Sequence, residues 1–517
     1  MNLKSLFRDK KFILTIISTI VWGLVSHGYA MFHKFSYHDD AMWTAGFVDA
    51  ETYGLGRWGL GIFGEAVSRL LGSLHISTPA INGVIILICI AIILYIMCLK
   101  LRIDSYELIV ALSGVLVCFP AVTGLFGFIY TSPYYFVGTA LGTIGAYLFY
   151  TNKNIKTMII CMLLMMISVS LYQANIPINM TVLLLFMMDE VYVTDMKWKD
   201  YIVLILKIAV ICAGFMILYL GVNGVLLSAK KMELSGYKGI NSFGMTDVTG
   251  YFLRVLSAYK RFLKPADHLV PLKWISANMF PWSLKYFHIL LIAVSVIIIA
   301  LSIRGLSNIR KMMEIGIITA ISPLFAYFIY VMVGEDEVHG LMTFGEAFMF
   351  FLPAYFIERI IHNGRMHDAV RKITVILMFI IGFMFARYSN VCYLKADVMQ
   401  TEAISYYNRL ITRIQATEGY TDDTPVVYIN DRSKNEEDMN GNKMFDPIYL
   451  PPYQGNSIIN DFAWEETMEL WCGFSPVKAD LGKVSDDVVK SMPNYPDAGS
   501  IRMIDGTLVV KFADFGD

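Results

Sequence analysis

Two adjacent carboxylates, Asp39 and Asp40, follow the first apolar segment in the run Ser36-Tyr37-His38-Asp39-Asp40. A carboxylate beside a low-dielectric boundary resists ionisation. Its pKa then moves toward the range useful for taking a proton from a hydroxyl. The pair reads as a general base, or else as a solvated helix end. His38 either orients a carboxylate or is an interfacial aromatic. Arg57 and Trp58 come next, flanked by Gly54, Gly56, Gly59 and Gly61. A guanidinium offers a donor fork suited to phosphate oxygens, and glycines permit close backbone approach. The same dipeptide also serves as a membrane-interface anchor.

A third group is basic and aromatic: Lys230, Lys231, Lys238, Arg254, Lys260, Arg261 and Lys264, among Tyr237, Tyr251, Phe252, Tyr259 and Phe262. Arg254 and Arg261 are seven apart and share one face of a helix. Such a surface suits a lipid-linked phosphate whose tail stays in the bilayer, or anionic headgroups in general. Tyr172-Gln173-Ala174-Asn175 carries groups that can bond sugar hydroxyls or neighbouring helices. Glu335-Asp336-Glu337-Val338-His339 is an acceptor or cation site, or a solvated acidic loop. Arg387 and Asn390 either reach a phosphate or mark a water boundary.

The elements that must position these residues are apolar. Of 517 residues, 56% are hydrophobic and 16% charged, and mean hydropathy is +0.55. That composition belongs to a polytopic membrane protein. A net charge of −1 points to no nucleic-acid partner. Runs long enough to span lie near 12–31, 80–99, 105–120, 134–150, 156–174, 178–193, 200–224, 286–303, 314–333, 341–360 and 372–389. The expectation is therefore an all-α protein of about eleven transmembrane helices. The first, behind Lys4, Arg8, Lys10 and Lys11, reads as an uncleaved span.

Lysine and arginine fall on alternate connections. Lys100/Arg102, Lys153/Lys156, Lys197/Lys199, Arg304/Arg310/Lys311/Lys312 and Arg359/Arg365/Arg371/Lys372 stand on the side of the N-terminus. The short connections near 121–133, 173–179 and 334–340 carry none. The positive-inside rule makes the N-terminus cytoplasmic. It puts loops of about 32–79 and 225–285, and the region from 391 to 517, outside. Residues 1–390 then form the membrane domain. Residues 391–517 form a small α/β domain, with a helix at about 396–417 and a buried strand within Thr424–Asn430. Trp58 to Leu74 reads as an amphipathic helix lying in the interface.

Several classes are excluded or disfavoured. There is no GxxxxGK[ST], HExxH or GxSxG, and no Cys/His spacing for zinc or haem. No charged residue is expected well inside a span, which counts against an ion-coupled transporter.

Four segments together resemble the GtrII-like glucosyltransferases, integral-membrane enzymes of the GT-C class. They are Tyr37-His38-Asp39-Asp40, Gly56-Arg57-Trp58, Leu171-Tyr172-Gln173-Ala174-Asn175-Ile176-Pro177, and the stretch from Asp397 to Asn430. The resemblance implies a GT-C-like membrane domain and a polyprenyl (undecaprenyl) phosphate-linked sugar as donor. A synthase would make that donor inside the cell, and a flippase would turn it outward. The acceptor would be a cell-surface polysaccharide, O-antigen or cell-wall glycan, on the external face of a bacterial plasma membrane. An acid of the first external loop would be the base, which selects Asp40 or Asp39. Arg57, Arg254, Arg261, Lys231 and Arg387 would hold the donor phosphate. Trp58, Tyr172, Gln173, Asn175 and His38 would contact sugar or acceptor. Neither metal nor cofactor is implied. A flippase or exporter of lipid-linked sugar, and a polysaccharide polymerase, are the alternatives.

Overall fold

The computed structural model describes residues 8–35, 40, 47–71, 78–236, 246–263, 282–306, 308–334, 338–359, 365–430, 463–479 and 486–513. The chain divides into two compact units, 1–33 with 46–390, and 34–45 with 391–517.

The first unit is a helical bundle. Its elements are α1 (Lys10–Phe32), α2 (Trp58–Leu71), α3 (Pro79–Leu101), α4 (Tyr106–Cys118), α5 (Pro120–Phe126), α6 (Ser132–Asn152), α7 (Ile155–Leu171) and α8 (Asn175–Val193). There follow α9 (Trp198–Lys230), α10 (Val248–Leu263), α11 (Trp282–Arg304), α12 (Ile309–Ala326) and α13 (Phe328–Val333). Two 3₁₀ turns, Gly340–Met342 and Phe344–Phe350, lead into α14 (Phe351–Arg359) and then α15 (Arg365–Gln415).

Burial in α1 is inverted relative to a soluble helix. Ser18, Thr19, Ser26 and His27 are buried, while Ile17, Val21, Leu24 and Val25 are exposed. The inward groups bond other helices. Ser26 donates to Ser389 at 2.9 Å, and His27 Nε2 lies 2.8 Å from the Val117 carbonyl. Small and polar residues inside with aliphatic residues outside is what a hydrocarbon solvent selects. The protein is a membrane protein on this pattern.

The expected spans fall largely on helical residues, but among the described residues six helices are long and apolar enough to cross a membrane by themselves. A seventh forms if α4 and α5, bent by 46°, are one span. The bend falls at Phe119-Pro120, where proline removes a backbone donor. Four other expected spans fall short for readable reasons. The α7 helix is apolar but has only 17 residues. The α6 helix carries Gly138, Thr139, Gly142, Thr143 and Gly145, which lower its hydropathy and let Asn175 and Asn179 approach closely. Charged residues open α12, which breaks after Pro323. The 341–360 stretch is 3₁₀ turns plus one short helix.

The basic connections lie together at one end. Lys11 pairs with Asp104, Lys100 with Asp189 at 2.9 Å, and Lys153 with Glu190. Arg359 reaches Asp189 at 2.9 Å, and Lys311 reaches Asp195 at 3.2 Å. One expectation fails here. Asp189 is fully buried, and Glu346, inside the 341–360 span, is 2% exposed. Charge does lie within the bundle. It persists there because each carboxylate is bonded: Asp189 by Lys100, Arg359 and Tyr355, Glu346 by the Tyr330 hydroxyl.

In the second unit, the C-terminal part of α15 is followed by a three-stranded sheet of order β1-β3-β2. Strand β1 (Val426–Ile429) runs parallel to β3 (Thr507–Lys511), and β2 (Ile501–Ile504) runs antiparallel to it. Val427, Ile429, Val489, Met492 and Val509 form its core. The strand expected within 424–430 is β1, and the expected helix is the end of α15.

Candidate functional site

A single helical turn, Asp49–Thr52, leads into a tight turn that ends at Arg57, whose amide donates to Thr52 at 2.7 Å. Gly56 has φ +72°, and a Cβ there would meet the Tyr219 hydroxyl at 2.6 Å. Only glycine fits both constraints. The turn is fastened from outside. Gln173 donates to the Leu55 carbonyl at 2.5 Å and to Tyr219 at 3.2 Å. Tyr219 donates to the Gly56 carbonyl at 3.0 Å, and the Ser235 amide donates to Gly54 at 2.8 Å. Gly59 lets α2 lie directly against Ser170 of α7.

This scaffold sets Arg57 against two tyrosines. The rings of Tyr135 and Tyr172 stack with centroids 4.1 Å apart and planes 12° apart. The guanidinium lies 6.0 Å from the first ring and 5.5 Å from the second, and it donates to the Tyr135 hydroxyl at 3.4 Å. Rings hold a guanidinium in a fixed orientation. A small cavity beside them is lined by Tyr135, Thr139, Tyr172, Asn175, Leu341 and Phe344.

The α10 helix makes a second basic centre. Its large apolar residues Phe252, Leu253, Leu256 and Leu263 are exposed, while Arg261 is buried and Arg254 half-buried. Arg254 donates to the Val331 and Met332 carbonyls at 3.2 Å each and lies 5.7 Å from the Tyr251 ring. Arg261 lies 5.8 Å from the Tyr330 ring, and Tyr330 donates to Glu346 at 3.3 Å. The 3₁₀ segment relates the two centres. Phe344 lines the cavity beside Tyr135 and Tyr172, and Glu346 two residues later accepts from Tyr330.

Asp40 belongs to the second unit, where its buried carboxylate accepts from Lys34 at 2.9 Å. Asp39, His38, Lys238, Lys264 and Glu335 to Glu337 lie outside the described residues. Trp58 is 6% exposed and packs into the bundle. Asn175 accepts from Thr139 at 2.9 Å and donates to the carbonyls of Tyr135 and Ser168, so its amide serves helix packing. Lys231 is the left-handed cap ending α9, with φ 55°. Arg387 is exposed on α15. Among the described residues no group of His, Cys, Asp and Glu could hold a metal ion.

Four participants escape a reading of the sequence: Tyr135, Tyr219, Tyr330 and Glu346. Glu346 carried a signal, since an acid within an apolar run is a functional candidate on energetic grounds. The tyrosines carried none, because their partners lie far off in the chain. Residues 28–352 match the family model described as glucosyl transferase GtrII. No curated protein matches the chain.

Proposed function

The chain belongs to the GtrII glucosyl transferase family, and we propose that it moves glucose or another hexose from polyprenyl (undecaprenyl) phosphate to a surface glycan. The observation that carries the reading is Arg57, set over the Tyr135–Tyr172 pair by a glycine turn, within the matched residues. A fixed guanidinium beside aromatic faces suits a phosphate with a sugar attached, the rings taking the sugar's apolar face. Arg254 and Arg261 add positive charge on an interfacial helix, where a lipid phosphate resides.

In the proposed reaction an acceptor hydroxyl attacks the anomeric carbon and gives its proton to Asp40 or Asp39. The bond from that carbon to the phosphate oxygen breaks, and polyprenyl phosphate leaves with the electron pair. The arginines stabilise the charge developing on the phosphate. Attack opposite the leaving group inverts the anomeric centre.

The reaction is assigned to the external face of a bacterial plasma membrane. The clustered basic connections support that orientation, since they mark the cytoplasmic end. A synthase and a flippase then supply the donor. Buried charges at Asp189 and Glu346 keep a flippase as the second reading, because carriers also hold charge inside their bundles.

Purified protein in nanodiscs, given undecaprenyl-phosphate glucose and candidate surface glycans, separates these readings. Label moving to glycan supports the transferase. Transbilayer movement of intact lipid without transfer supports the flippase. Transfer of an oligosaccharide from a diphosphate carrier supports the polymerase.

A further inference from the structure

A cavity of about 280 Å³ lies among α10, α11, α12 and the 3₁₀ segment before α14. We propose that it receives part of the isoprenoid chain of the lipid-phosphate donor, entering sideways from the bilayer; this rests on the donor class proposed above. The volume is near the lower edge of the range of about 300–1,000 Å³ usual for small-ligand clefts. It accommodates a portion of a long chain.

The walls are apolar, with Phe262 from α10, Leu291 and Ile292 from α11, Pro323 from α12, and Met349 and Phe350 from the 3₁₀ segment. The rim faces outward. Leu263 and Val296 are each 60% exposed, and Ala320 is also exposed. These rim positions are continuous with the aliphatic surface that α11 and α12 present, including Ile297 and Ile317. In a bilayer such an opening meets hydrocarbon, and a chain can slide in without crossing water.

Position along the helices ties the cavity to the basic centre. Its lining comes from the middle of α11, 288–299, and the last part of α12, 319–323. On α12 that is the end away from Arg310 and Lys311. Arg261 adjoins the wall residue Phe262, and Tyr330, over whose ring it lies, donates to Glu346, itself a lining residue. The Tyr259 hydroxyl donates to the Ala320 carbonyl at 3.0 Å, pinning α10 across one side. An apolar slot walled in part by the helix that carries Arg261 fits an amphiphile with an anionic head. A soluble sugar nucleotide would bury many hydroxyls there against few polar groups, chiefly His288, Thr319 and Glu346.

The test measures binding of undecaprenyl phosphate to full-length protein in nanodiscs. Ala320→Phe and, from the facing helix, Ser295→Phe fill the slot. Ile217→Phe, at an exposed position of α9, is the control. The slot-filling variants are expected to bind at least about tenfold more weakly, with the control unchanged. Dioleoyl phosphatidic acid is expected to displace the probe at least about tenfold less well than unlabelled undecaprenyl phosphate. Wild-type affinity in both folded slot variants, checked by thermal unfolding, overturns the cavity assignment alone. Equal displacement by phosphatidic acid also overturns it, by making the site a general acyl slot. Failure of the wild type to bind the probe overturns the donor reading as well.

Discussion

The two ends of the helical unit both lay arginine on tyrosine, yet to different effect. At one end Arg359 lies 4.3 Å from the Tyr355 ring and also reaches Asp189 at 2.9 Å. Lys100 and Lys153 bring two more positive charges to Asp189 and Glu190. Charge there is answered by charge. At the other end Arg57 lies over Tyr135 and Tyr172, and Arg254 rests on two carbonyls and a ring. Rings and carbonyl oxygens orient a guanidinium and fix the direction in which its donors point. The first end is held by ion pairs, and the second holds its arginines against rings and carbonyls.

Substitution separates the two. The largest effect is expected from Asp189→Ala, which strands Arg359 and leaves Lys100 only its longer pair with Glu190. It should cost about 3–5 kcal/mol in thermal unfolding, with kcat of the remaining folded protein unchanged. Arg57→Ala should leave the unfolding midpoint nearly unmoved and lower sugar transfer by at least about 100-fold in kcat/KM. If Arg57→Ala instead unfolds the protein while transfer per folded molecule holds, the contrast between the ends is wrong. Arg254→Gln should raise the KM for donor about tenfold, with a smaller change in kcat. Tyr219→Phe removes the hydrogen bond to the Gly56 carbonyl and the one accepted from Gln173, which keeps its bond to Leu55. A loss of about 1 kcal/mol is expected, seen as a few-fold drop in kcat/KM.

The arginine end was partly legible in the sequence. Gly56-Arg57-Trp58 and Tyr172-Gln173-Ala174-Asn175 stood out by residue type, and the turn and the helix junction do meet, through Gln173 and the Leu55 carbonyl. Residue type did not tell what each side chain does there. Gln173 fastens backbone and Asn175 packs helices, because a helix end in a bundle meets neighbours on most sides. The facing arginines of α10 followed from their sevenfold spacing. Tyr135, Tyr219 and Tyr330 were invisible, since one more tyrosine in an aromatic-rich span carries no local mark. Window-averaged hydropathy hid Glu346, and of the eleven runs it marks, six single helices and one bent pair among the described residues are long and apolar enough to cross a membrane. It averages over breaks such as Phe119-Pro120 and reads the 3₁₀ run before α14 as helix.

The most direct measurement of the central claim is glucose transfer from undecaprenyl-phosphate glucose by Asp40→Asn, Asp39→Asn and the double variant. Each substitution keeps shape and removes a proton acceptor. The account predicts that at least one single variant, and the double variant, lose transfer by about 1,000-fold or more while still binding donor and unfolding as the wild type does. Full transfer by both single variants and by the double variant would contradict it.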